Sequence, residues 1–105
     1  MSDPLGSVFG ALADPTRRGV VEVLLRDGST SVPDLAAGLP ISRQAVAKHL
    51  AQLEQAGLLE RVPGAGREVR YTLRGEALAP AGAWLRDAER SWDRRLGRLK
   101  RAVES

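Results

Sequence analysis

The stretch Ile41 to Leu59, ISRQAVAKHLAQLEQAGLL, constrains the chain more than any other. Val46, Leu50 and Leu53 fall at i, i+4 and i+7, one apolar stripe of an α-helix. Ser42 stands where an N-cap belongs, and Gly57 stands just past the end, where a C′ residue belongs. At about 100° per residue, Arg43, Gln44, Ala47 and Lys48 gather away from that stripe in the first two turns. This half of the helix carries two cations, an amide and a small residue, and its first acid is Glu54 near the far end. Such a set meets phosphates and base edges when a helix enters a DNA major groove N-terminus first.

The preceding segments supply two supporting helices and the first half of a helix-turn-helix. Asp3-Pro4 reads as a cap with proline at the first helical position, followed by Leu5, Val8, Phe9 and Leu12 at helical spacing. Asp14-Pro15 starts a second helix with Val20, Val21, Leu24 and Leu25 as its expected buried face and Gly28 as its end. Ser31-Val-Pro-Asp34 fits a capping box and opens a short helix that stops at Gly38. The tight turn Gly38-Leu-Pro-Ile41 then joins it to the central helix.

After Gly57 the period changes. Leu58 to Val62 reads as a strand and Pro63-Gly-Ala-Gly66 as a turn. Arg67 to Leu73 alternates, with Val69, Tyr71 and Leu73 on one face and Glu68, Arg70 and Thr72 on the other. The expectation is a hairpin, or wing, with one solvated basic face. In the C-terminal third, Ala81, Leu85, Ala88, Trp92, Leu96, Leu99 and Val103 make nearly a heptad seam. A domain this small has little core left for so long a stripe. Leu85, Ala88, Trp92, Leu96, Leu99 and Val103 are therefore expected to form a homodimer surface, completed by Leu5 and Phe9 of the first helix.

The fold class that follows is mainly α with a small β-hairpin, a winged helix-turn-helix in the order α-α-α-α-β-β-α. Residues 1–105 are read as one domain with no internal repeat or linker. Hydrophobic residues make up 43% of the 105, which marks a globular chain. No apolar run approaches the roughly 20 residues of a membrane span, and no signal peptide opens the chain, so a cytoplasmic location is the default. A net charge of +3 suits a polyanionic partner without demanding one. With no Cys and one His, neither a thiolate nucleophile nor a catalytic unit around His49 is expected. The 13 carboxylates show no paired motif, and no cofactor fingerprint is present, so the chain is not expected to be an enzyme.

Four segments together resemble an ArsR-type winged helix-turn-helix regulator, and the trailing Trp84-Leu85 and Trp92-Asp-Arg-Arg-Leu96 resemble its subgroup without a metal site. The four are Phe9-Gly-Ala-Leu-Ala-Asp-Pro-Thr-Arg17, Ile41-Ser-Arg-Gln-Ala-Val-Ala-Lys-His-Leu50, Leu53-Glu-Gln-Ala-Gly-Leu58 and Gly66-Arg-Glu-Val-Arg-Tyr-Thr-Leu73. The resemblance implies a homodimer on a palindromic operator of double-stranded DNA, usually as a repressor. By position it assigns Ser42, Arg43, Gln44, Ala47, Lys48 and His49 to the recognition helix, and Arg67 and Arg70 to the wing. Ala47 departs from the serine common there. Metal-sensing members carry Cys-x-Cys before the helix-turn-helix, or Asp and His ligands on the last helix. Here the first site reads Ser31-Val-Pro33 and the last helix holds no His, so no metal and no cofactor are expected.

Each assignment has a plainer counterpart. Ser42 caps its helix whether or not DNA is bound. Gln44 is the best base reader, because its amide pairs bidentately with adenine, while Lys48 is the better phosphate partner. His49 lies at the margin of the buried stripe and is as readily structural. Arg67 and Arg70 could only solubilise a strand edge. Trp92 lies on the seam, whereas Trp84 lies off it and is a candidate pocket wall. The rival function is a winged-helix protein-interaction module, against which the acid-free start of the central helix argues.

Overall fold

A computed structural model describes residues 3–104. The elements are α1 (Pro4–Leu12), α2 (Pro15–Asp27), β1 (Ser29–Thr30), α3 (Val32–Gly38), α4 (Arg43–Gln55), β2 (Leu59–Pro63), β3 (Val69–Leu73) and α5 (Ala79–Glu104), with a 3-10 turn at Gly75–Ala77 before α5. The four side-chain caps follow the sequence. Asp3 accepts from the Gly6 N–H, Asp14 from Arg17, Ser31 from Asp34 and Ser42 from Ala45. Each satisfies a backbone donor that the first turn of a helix otherwise leaves open.

α4 sits at the centre. Val46, Leu50 and Leu53 are each 0% exposed and pack with Val8, Val20, Leu24, Leu35, Leu58 and Tyr71. The helix ends in a Schellman motif. Gly57 takes φ +82°, its N–H donates to the Glu54 carbonyl, and the Leu58 N–H donates to the Leu53 carbonyl. Leu58 is thereby turned into the core beside Leu53. The chain then enters β2 with its apolar residues already placed.

The α1–α2 corner is held by two arginines. Arg17 donates from Nε to the Ala11 carbonyl at 2.8 Å and from Nη2 to the Gly10 carbonyl, and Arg18 donates to the carbonyls of Leu12 and Ala13. The Gly10 carbonyl also accepts the Ala13 N–H at 3.3 Å, the other three lie at the helix end where backbone donors run out, and the cations also oppose the negative end of α1. Arg17 reaches further, to Gln52 Oε1 of α4 at 3.1 Å, so one side chain fixes three helices.

Four details differ from the expectation. The sheet is not a bare hairpin. It has three antiparallel strands in the order β1-β3-β2, with Ser29 opposite Thr72 and Thr30 opposite Tyr71. β1 is two residues long, too short for any alternation to show. The Arg70 face of the hairpin is consequently not simply solvated, because β1 and α3 close over it. Leu25 is 65% exposed rather than buried. It lies about 90° round α2 from the direction shared by Val20, Val21 and Leu24. The first hairpin strand also begins at Leu59, because Leu58 belongs to the helix terminus.

α5 is 26 residues long, about 39 Å at 1.5 Å per residue. Ala81 is its one buried residue among those described. Trp84 packs edge-on against Phe9 of α1, ring centroids 5.7 Å apart and planes at 72°. Beyond that contact the helix projects, and the molecule measures 68 × 31 × 23 Å. Leu85, Trp92, Leu96, Leu99 and Val103 are exposed by 44–77% along its seam, Ala88 is exposed with them, and Leu5 and Phe9 are half-buried.

Candidate nucleic-acid interface

The outward face of α4 follows from its inward one. With Val46, Leu50 and Leu53 locked in the core, Arg43, Gln44, Ala47 and Lys48 are exposed together over the first two turns. Ser42 Oγ accepts the Ala45 N–H at 3.1 Å, and its backbone carbonyl accepts from Val46 at 3.0 Å. The first turn has no acid, and neither Arg43 nor Lys48 forms an ion pair among the described residues. The acid at the far end is neutralised. Glu54 receives Arg61 Nε at 3.0 Å and Nη2 at 3.2 Å, which also ties α4 to β2. The helix therefore presents a positive N-terminal half, where its own dipole adds to the field.

His49 belongs to a different environment. Its side chain is 21% exposed, and Nδ1 lies 4.0 Å from Asp14 Oδ2. Nδ1 is buried without a hydrogen-bond partner among the described residues. The ring thus faces the start of α2 rather than the open face beside Lys48. The Arg17 N–H bond is the main influence holding the Asp14 carboxyl below its usual range. Burial opposes that effect, and the charges of Arg17 and His49 assist it.

The two wing arginines also divide. Arg67, in the β2–β3 turn, is exposed and forms no ion pair among the described residues. Arg70 is half-buried: Nε donates to Ser29 Oγ at 3.0 Å, and Nη1 to Glu68 at 2.9 Å and Asp34 at 3.3 Å. It joins β3 to β1 and to α3, and so braces the wing against the helix-turn-helix. The structure thus brings Arg43, Gln44, Ala47 and Lys48 onto one open face, leaves Arg67 without an ion pair among the described residues, and engages His49 and Arg70 with protein. Sequence reasoning passed over Arg17, Gln52, Asp34 and Ser29 as positioning residues. A faint signal existed for Arg17, three residues after the Asp14 cap, where its side chain can turn back over the end of α1.

A helix-turn-helix domain model matches residues 12–62. The HTH-type transcriptional regulator Rv2034 of Mycobacterium tuberculosis is 41% identical over 95 residues, covering 90% of this chain and 84% of that protein. The transcriptional repressor SdpR of Bacillus subtilis is 31% identical over 81 residues, covering 77% of this chain and 88% of that protein. Among solved structures, an ArsR-like transcriptional regulator from Rhodococcus sp. RHA1 superposes with a TM-score of 0.78 at 44% identity, covering 97% of this chain and 92% of its own. Helix-turn-helix regulators bind double-stranded DNA. On the agreement of element order, central helix, wing and relatives, the chain belongs to the ArsR family of winged helix-turn-helix transcriptional regulators.

Proposed function

We propose that the protein is a homodimeric repressor that covers a palindromic operator and responds to no metal. The observation that carries the DNA reading is the division of the cations. Arg17, Arg18, Arg61 and Arg70 are bound to protein partners, while Arg43 and Lys48 on the α4 face and Arg67 in the wing turn form no ion pair among the described residues. In this reading Gln44 reads a base edge, Arg43 and Lys48 meet base or phosphate, and Arg67 reaches phosphate beside the groove. Ser42 and Ala47 allow the backbone to come close, and His49 and Arg70 hold the helix and wing in place.

Dimerisation is supported by the seam of α5. Five large apolar side chains remain uncovered on it, and Leu5 and Phe9 of α1 are half-buried. An exposed stripe of that kind marks an association surface, and two copies joined there present paired recognition helices. Independence from metal is supported by the absence of Cys and by Ser31, whose buried Oγ accepts the Asp34 N–H as a cap. Zinc, cadmium or arsenite should leave operator affinity unchanged.

The test is the Gln44→Ala variant on operator and random duplexes, the operator taken from a selection out of a randomised duplex pool. Loss of preference at one base pair of about 1–3 kcal/mol, with random binding intact, supports the assignment. Equal loss on both duplexes refutes it.

A further inference from the structure

The outer face of α5 carries a charge pattern that neither the core nor the seam uses. Between Asp93 and Glu104 the helix holds Arg94, Arg95, Arg98, Lys100 and Arg101 and no acid. All five are exposed, and none forms an ion pair among the described residues. Arg94, Arg98 and Arg101 stand at i, i+4 and i+7, one stripe on the side of α5 opposite Trp92, Leu96 and Leu99. A dimer closed on the seam leaves that stripe open.

The stripe has a floor. Gly97 lies between the three arginines, and they surround a shallow depression of about 380 Å³ with Asp93 at its rim. Glycine in a helix interior is unfavourable, since it has no side chain to restrict the unfolded chain and leaves backbone open. Here the missing Cβ leaves the helix surface bare, and Arg101 Nη1 folds over it, 3.4 Å from where a Cβ would stand. Three guanidinium groups against one carboxylate leave the depression positive. Arg94 to Arg101 spans about 10 Å of helix. Along the duplex axis one strand advances about 3.4 Å per phosphate, so the stripe covers about three phosphate steps.

We propose that Arg94, Arg98 and Arg101 form a second contact for duplex DNA, blind to sequence and separate from the α4 face. The proposal rests on DNA being the partner of this chain, though not on α4 as its reader. Guanidinium groups pair bidentately with phosphate. The face offers no apolar side chain for entry into a bilayer. The phosphates belong either to the flank of the bound duplex or to a second duplex.

The experiment compares the wild-type chain with the triple variant Arg94→Ala, Arg98→Ala, Arg101→Ala. Fluorescence anisotropy follows binding to an operator-length duplex and to one twice as long, across a salt series. Energy transfer between two differently labelled duplexes reports bridging, and sedimentation reports oligomeric state. The expected result is weaker binding to specific and random duplexes alike. The slope of log affinity against log salt becomes shallower by about 2.7 for each protomer engaged. Base preference and sedimentation stay unchanged, and the Arg→Lys triple variant restores the slope. Loss confined to the longer duplex assigns the flank, whereas loss of energy transfer assigns a second duplex. Unchanged affinity and slope on both lengths with no energy transfer overturn the proposal. So does loss accompanied by monomerisation, or loss of binding to phosphatidylglycerol vesicles with DNA binding intact. If Gln44→Ala proves neutral while the α5 variant loses DNA, the α4 assignment fails and this one stands.

Discussion

Arg67 and Arg70 lie three residues apart on the wing, and the structure gives them opposite fates. Arg67 forms no ion pair among the described residues, while Arg70 is held by Ser29, Glu68 and Asp34. If Arg67 meets phosphate in the proposed dimer, replacing it by Ala should remove two phosphate contacts. Each contact contributes about 0.9 to the slope of log affinity against log salt, so the slope becomes shallower by about 1.8. Between 50 and 200 mM salt that difference amounts to about tenfold, so the deficit of the variant is about tenfold larger at the lower salt. Specific and random duplexes should suffer alike, because phosphate carries no sequence. Arg70→Ala should instead leave the slope unchanged and lower the denaturation midpoint, since Asp34 and Glu68 lose their shared cation. Fluorescence anisotropy across a salt series reads the first effect and a urea titration the second. An equal slope change from both variants, or none from Arg67→Ala, would refute the division of roles.

Three further outcomes follow from the same structure. Leu53→Ala empties a fully buried site under α4 and should cost about 2–5 kcal/mol in urea denaturation. A cost near zero would mean that α4 does not anchor the core. Leu96→Asp places a charge on the exposed seam and should yield a folded monomer by sedimentation with its circular dichroism unchanged, while an intact dimer would remove α5 from the interface. The Asp14 carboxyl is held below its ordinary value of 3.8, so the stabilisation it gives is present above that pH and is lost as pH falls through its lower folded value. Asp14→Asn keeps an acceptor for the α2 cap, and its melting temperature should fall less steeply in that acid range than that of the wild type.

The helices were legible because each is announced by local chemistry. Three Asp-Pro or Ser-x-Pro starts and the Ser42 cap fall where the structure places them, and Val46, Leu50 and Leu53 define the inward side of α4 without ambiguity. The exposed face of α4 is the complement of that stripe and was legible for the same reason. What escaped depends on contacts distant in sequence. β1 is a strand because Ser29 and Thr30 find β3, more than 40 residues later. Arg70 looked like a solvated wing cation until Asp34, 36 residues earlier, was found beside it. Arg17 reaches Gln52 across 35 residues, a tie that no spacing rule predicts. Leu25 shows the limit of periodicity, since a residue at the edge of a stripe is buried only if a neighbouring element covers it.

The most direct test of a paired α4 face is a hydroxyl-radical footprint of the wild-type chain on its selected operator. The account predicts two protected patches related by the symmetry of the site and centred about 34 Å apart, one duplex turn. A single protected patch, or uniform protection with no centre of symmetry, would contradict it.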